Sequence, residues 1–443
     1  LREVATRHRD AVVGREPAWS LVPDRERGLK QLTTEAEDAL TAWWDANGVL
    51  AALQEATLRL LFAEESSRGD EPPRPAVSPL RLFIRSSSVG EDGRVPKRGS
   101  LGEALADIGI HACTPANAGV LRDADGDPIA TRYSYRDETG AMLTELTGTG
   151  ANLARLGLDV DATSDTLIVI LNGNTPVGEP VAYPLGGALL MHEMRREPLI
   201  TPAAIMQQKL INKAYTMMSR NVDVAGFVER TFLNAQAPGR WLGEDGQPTE
   251  PGKGTWTPDP LYVGAGATNH VVGVIEPRED GTYSYASPSV VYRDPVSPTA
   301  FTLTIEQAYR AVLEEAKQLH VLLAGDATAS GESRKQAMSD YVDSLTTTAA
   351  QVQGAIRWLL TTSLRLAAVL INAPGRFDAF RVTASARIRV VQPTSEDQQA
   401  TLAKYEAGVL SLETTLAELG VEDPTAEMNK LNATQPEVEE VAA

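Results

Sequence analysis

The chain has 443 residues, 42% apolar, 23% charged and 5% aromatic, the balance of a folded protein with a sizeable core, which excludes a disordered one. A formal charge of -18 and a pI near 4.8 exclude a protein that grips nucleic acid by neutralising phosphates, and suit a surface past which nucleic acid slides without sticking. The single Cys113 excludes an intrachain disulfide and a cysteine-rich zinc site, so a reducing cytoplasm is the expected compartment.

Length predicts two or more packed regions. No run of about 18 uninterrupted apolar residues occurs, so neither a secretion signal nor a membrane span is expected, and the numbering starts at Leu1 rather than an initiator Met. Leu40, Trp43, Trp44, Val49, Leu53, Ala56 and Leu61 recur at helical spacing and predict a helix pair in the first 65 residues. The stretch from Glu65 to Pro79, with four prolines, ends it. From Leu80 to Val181 short apolar runs such as Leu80–Ile84 and Thr166–Leu171 alternate with turns, which predicts a β-rich region. Asp123-Ala-Asp-Gly-Asp127 reads there as a solvated hairpin tip, since it lacks the spacing and terminal Glu of a calcium loop.

Thr201-Pro202 is a helix start, with Thr as N-cap, and apolar residues carry that helix to about Asn234. Residues 235–303, rich in Gly, Pro, Thr, Trp and Tyr, read as a small β insertion with a strand at Val271–Ile275. Thr304 and Gln307 have capping-box spacing for a second helix ending near Leu323. Leu323, Ala324, Gly325, Asp326, Ala327, Thr328, Ala329 and Ser330 form a small-residue loop. A very long helix then runs from Gly331 to Ile371, with Gly354 its one point for a kink. Phe380 to Val390 alternates apolar and polar residues as a half-buried strand does, a helix begins near Thr394, and the acidic tail beyond Pro436 frays.

Catalytic chemistry does not emerge. His192-Glu193 starts like a zinc-protease helix, but Arg196 stands where the second His is needed. Ser86-Ser87-Ser88, Lys97-Arg98-Gly99 and Gly264-Ala265-Gly266 miss the spacings of a nucleophile elbow, a phosphate loop and a dinucleotide turn. Cys113 reads as a packed small residue, and His320 as a helix C-terminal histidine facing the dipole. No catalytic residue, metal ligand or cofactor is expected. Arg240, Trp241, Trp256 and Tyr262 are candidate partner-binding residues of the insertion, with the aromatics equally suited to form its mini-core.

The order of helix, β insertion, helix, loop and long helix resembles the core of tailed-bacteriophage portal proteins, the head-to-tail connectors. The passage Gly325-Asp-Ala-Thr-Ala-Ser-Gly-Glu-Ser-Arg-Lys-Gln-Ala337 is similar to the entry into that family's long helix. Tyr405-Glu-Ala-Gly-Val-Leu-Ser-Leu-Glu-Thr-Thr-Leu-Ala-Glu-Leu-Gly420, with Asp423-Pro424 and Glu427 after it, is similar to its C-terminal pattern. The coarse order covers roughly residues 40–430, the sharp motifs only the last third.

The resemblance implies an α+β portal-like fold. Residues 1–200 and 332–392 would be the wing, 201–234 and 304–323 the stem helices, 235–303 the clip, 324–331 the tunnel loop facing DNA, and 393–443 a short crown and tail. It implies a non-enzymatic dodecameric ring at one capsid vertex of the virion, assembled in the host cytoplasm, for DNA packaging and ejection. Double-stranded DNA would pass through the channel. The large terminase, the major capsid protein or scaffold, and a head-tail adaptor would be the partners, with no membrane involved. The Arg face of strand 380–390 would meet an acidic neighbour. The competing readings are another virion protein, such as an adaptor or minor head protein, and a hydrolase.

Overall fold

The computed structural model describes the chain apart from residues 24–29, 63–74, 90–94, 227–229, 251–252, 261–270, 280–281, 293–295, 326–327, 329, 387, 389–394 and 420–443. The fold is mixed α+β. It divides into two compact units, one of Leu1–Val4 and Pro198–Met338, the other of Ala5–Glu197 and the described residues from Ser339 onward.

Up to Glu197 the helices are α1 (Arg2–Val13), α2 (Lys30–Ala46), α3 (Val49–Leu60), α4 (Leu101–Ala106) and α5 (Gly150–Arg155). The strands there are β1 (Ala18–Pro23), β2 (Ala76–Ile84), β3 (Ile108–Ala112), β4 (Ala118–Arg122), β5 (Pro128–Arg136), β6 (Met142–Thr149), β7 (Thr166–Asn172), β8 (Thr175–Pro176), β9 (Val181–Tyr183) and β10 (Met191–Arg196). Next come α6 (Pro202–Gly226) and the short strands β11 (Arg230–Leu233), β12 (Ala235–Gln236), β13 (Gly239–Leu242), β14 (Thr255–Pro258), β15 (Val272–Gly273), β16 (Ile275–Pro277), β17 (Tyr283–Tyr285) and β18 (Ser289–Tyr292). The chain continues through α7 (Pro298–Glu315), α8 (His320–Gly325), α9 (Gly331–Leu370), β19 (Phe380–Ser385), α10 (Ser395–Glu406) and α11 (Leu412–Glu418).

In the unit built around Ala5–Glu197, β4 to β8 form a meander with β9 joining on β7, and Ala130, Leu146, Leu153, Leu167, Val169 and Leu171 close its core. The acidic turn is the β4–β5 tip, where Asp123 Oδ1 accepts from the Asp125 and Asp127 amides and Gly126 takes φ 90°. A second sheet has the order β10-β2-β3, and α3 lies against β2 and β3 with Leu53, Ala56 and Leu60 fully buried. Burying each such leucine contributes roughly 1.5–3 kcal/mol. The proline-rich stretch does not stop short of this sheet, because β2 begins at Ala76 and contains Pro79. Pro79 is in register with Glu193 of β10, and its carbonyl accepts from the Cys113 amide just past the last β2–β3 pair, Leu80↔Ala112, so its missing N–H falls where that ladder ends.

The predicted N-terminal helix pair is present as α2 and α3, with a strand before it that periodicity had not shown: β1 pairs with β19 from Ala18↔Ser385 to Pro23↔Phe380. Phe380, Val382, Ala384 and Ala386 are buried, as alternation predicted, although the strand ends at Ser385. The Arg387 and Arg389 part of its polar face lies outside the described residues.

In the other unit, α6 and α7 lie antiparallel and are pinned at both ends. The Thr201 hydroxyl donates to Glu315 at 2.8 Å, and the Asn221 amide clasps the Val296 N–H and carbonyl at 2.8 and 2.7 Å. Thr201 caps α6 as expected, accepting from the Ala204 N–H at 3.2 Å. Several bounds differ from the sequence reading. Helix α6 ends at Gly226 rather than near Asn234, since the chain re-enters as strand β11 at Arg230. Helix α7 begins at Pro298, so Thr304 is interior and donates to the Ala300 carbonyl at 2.9 Å instead of capping. It ends at Glu315 because Lys317 turns left-handed at φ 56° and the Gln318 N–H reaches back to the Leu313 carbonyl at 2.7 Å. The predicted strand at Val271–Ile275 is two short ones, β15 and β16, interrupted at Val274.

The C-terminal motif folds as two helices joined by a Schellman turn. Gly408 sits at φ 71°, the Val409 N–H bonds the Lys404 carbonyl, and Ser411 then caps α11 through the Thr414 amide at 3.2 Å. Asp423, Pro424 and Glu427 lie outside the described residues.

Candidate functional site

The predicted loop is only partly a loop. Leu323, Ala324 and Gly325 belong to helix α8, which corrects the reading of Leu323 as a loop start: the apolar His320-Val-Leu-Leu run makes a further turn after the Lys317 break. His320 accordingly opens a helix instead of closing one, and the dipole role assigned to it does not hold. Thr328 and Ser330 are exposed; Asp326, Ala327 and Ala329 lie outside the described residues. The Ser330 hydroxyl accepts from the Ser333 N–H at 3.1 Å and so caps the long helix α9.

In the β insertion, Trp241 and Trp256 face each other across the β13–β14 pair, their rings 5.7 Å apart and edge-on at 61°. Both are half-buried and pack on each other within their own hairpin; Arg240 is exposed. Tyr262 and His270 lie outside the described residues.

Helix α6 exposes large apolar side chains at Met206, Leu210, Tyr215, Met217 and Val222, and α7 exposes Leu303 and Tyr309. Met206 and Val222 are 63% and 61% exposed, too open for a helix pair whose apolar faces were spent on each other. Sequence periodicity carries apolar residues along each helix but has no means of dividing them between an inner and an outer face.

The histidines excluded from catalysis have structural roles. His8 is fully buried beside Tyr341; its Nε2 lies 2.9 Å from the Thr348 hydroxyl and 3.1 Å from Arg196, which also contacts Thr348. Burial, and then the Arg196 charge, push its pKa down to about 3, and burial lowers that of Arg196 to about 10. Cys113 packs with Ala118 and Met191, and burial raises its pKa to about 11, so it is an inert core thiol. Arg81 joins the two sheets: it pairs with Glu145 at 2.5 Å while its guanidinium lies 4.2 Å over the Tyr133 ring.

Sequence reasoning missed one concave site. Strand β10 is the edge of its sheet, and α9 runs along it: the Arg195 N–H donates to Gln351 at 3.0 Å and the Trp358 indole N–H to the Leu189 carbonyl at 3.1 Å. His192 stacks on Trp358 at 5.5 Å, and its Nε2 is 4.0 Å from where a side chain at Gly354 would begin. His192 therefore lies on a strand, not on the helix a zinc-protease motif requires, and burial lowers its pKa. Beside this stack opens a cleft of about 580 Å³ lined by Arg122, Arg357 and Arg365 among apolar groups. Its one carboxylate, Glu193, is only 4% exposed and already accepts from the Val120 amide at 2.6 Å and from Arg195 at 2.6 and 3.0 Å. The signal available in the sequence was Arg357 and Arg365 two turns apart beside Trp358.

No protein-family model matches the chain, and no curated protein matches it. Among the described residues, no helix is long and apolar enough to cross a membrane, and no cluster of three or more His, Cys, Asp or Glu side chains could hold a metal ion.

Proposed function

We propose that the chain is a portal-type subunit that assembles into a ring and lines a channel for DNA at one vertex of a phage capsid. The observation that carries this reading is the helical hairpin α6–α7, clasped at both ends, with the β strands Arg230–Tyr292 inserted at one end and the 40-residue α9 following from the other. The 25 residues of α6 span about 37 Å at about 1.5 Å per residue. A rod of that length with outward Met206, Leu210 and Val222 suits packing against a neighbouring copy. The net charge of -18 suits a wall that DNA passes without adhering. In this reading the β insertion is the clip that meets the packaging motor and later the adaptor, and the residues between α8 and α9 face the channel.

The test is the native mass of the purified chain by light scattering, with negative-stain images of the same fraction. A ring of around a dozen copies with a central hole is expected, and Met206→Glu combined with Leu210→Glu should dissolve it into monomers that keep their helical circular dichroism. A wild-type chain that stays monomeric at every concentration and ionic strength tried would end the proposal.

A further inference from the structure

The geometry points to the cleft between β10, β4 and α9 as a docking site for an extended acidic polypeptide segment of a partner protein. Arg357 is exposed and has no ion-pair partner among the described residues. Arg365 holds Asp378 at 3.1 Å, but both side chains are largely open, 41% and 55% exposed, so exchanging that partner costs little. Arg122 donates to the Gly126 carbonyl at 2.9 Å and touches Glu193 only at 3.4 Å, leaving donors to spare.

Spacing selects the ligand. Eight residues along a helix separate Arg357 from Arg365 by about 12 Å. A single small anion cannot meet both, whereas an extended chain repeats side chains on one face every 6.7 Å or so and places carboxylates four residues apart at about 13 Å. The Trp358–His192 stack and the apolar Leu189 and Met191 that line the same cleft suit the backbone and small side chains of such a segment. His192, held below the usual histidine range by burial, stays neutral and adds no charge. A nucleic acid is the less suitable polyanion, because it carries a charge on every nucleotide and each one meets the long-range repulsion of a chain of charge -18, whereas a short segment with a few carboxylates meets far less of it.

The experiment is fluorescence anisotropy of a labelled peptide of alternating Glu and Ala, long enough to span both arginines, titrated with the full chain at low salt. The same sequence with Gln for Glu and a labelled single-stranded oligonucleotide run as comparators. Binding of the Glu peptide alone is expected, weakened roughly tenfold or more by Arg357→Glu and by raising the salt to about 0.5 M, with the melting temperature of the variant unchanged. Arg357→Ala should fall between the two. Equal affinity for wild type and Arg357→Glu would overturn the inference, as would equal binding of the Gln peptide or tighter binding of the oligonucleotide. Self-association lost in Arg357→Glu without any peptide binding would overturn it in favour of a second copy as the occupant. None of these readouts depends on ring formation.

Discussion

His8 shows how one buried base ties stability to pH. Its ring is enclosed by Tyr341, Thr348 and Arg196, and its Nδ1 has no hydrogen-bond partner among the described residues, so protonation inside the fold is opposed by burial and by a neighbouring cation. A base whose folded pKa is depressed stabilises the fold fully above its unfolded pKa of about 6.5, and that contribution is lost as pH falls toward about 3. The expected loss is about 2 kcal/mol between pH 7.5 and about pH 5. Urea melts of wild type and His8→Gln across that interval check it: the variant is less stable at neutral pH but has a flatter pH dependence. Parallel slopes for the two would show that His8 does not titrate in this way. Nothing around His8 in the sequence, Thr-Arg-His-Arg-Asp, signals burial; its partners lie 188 and 340 residues away.

At the scale of elements, α9 carries most of the organisation. Leu345, Val352, Ile356, Leu359 and Leu360 are fully buried, so the helix is held along its length by core contacts rather than by propensity. Gly354 falls within this unbroken helix, and among the described residues the one atom beyond the helix's own backbone that lies within 4.0 Å of where its side chain would begin is His192 Nε2. A methyl group fits there, so Gly354→Ala should raise stability by about 0.5–1 kcal/mol through helix propensity. Gly354→Leu should instead destabilise, because a larger side chain must displace His192 from its stack on Trp358. Thermal melts of both variants check this; destabilisation by Ala would indicate that the glycine serves a bend. Helix existence was legible in the apolar stripe, but its ends were not: α7 stops where Lys317 turns left-handed, an event no periodicity encodes.

For the whole molecule, charge sets the conditions of assembly. Copies of charge -18 repel one another at long range, while the exposed apolar positions of α6 attract only on contact. Under the ring reading, the assembled fraction should therefore rise as salt increases from about 0.05 M to about 0.5 M, where the screening length shrinks from roughly 14 Å to roughly 4 Å. Mass photometry across that series measures it, and a ring that falls apart with added salt would mean that ion pairs, not apolar contacts, hold the copies together. The separation of the chain into two units, with α9 passing from one to the other, follows from which segments share a core and was not legible from the run of elements alone.

The sequence by itself determined the α+β class, the long helices, the capped start of α6 at Thr201, the half-buried alternation from Phe380 and the hairpin tip at Gly126. Each of these follows from local periodicity or from the dihedral demands of a single residue. Only the tertiary structure decided that β1 pairs with β19, that Pro79 fits inside a sheet, that Trp241 and Trp256 pack on each other, and that Arg122, Arg357 and Arg365 share one cleft. Those outcomes depend on segments up to some hundreds of residues apart meeting in space, and burial is a property of the partner that arrives, not of the residue that waits for it.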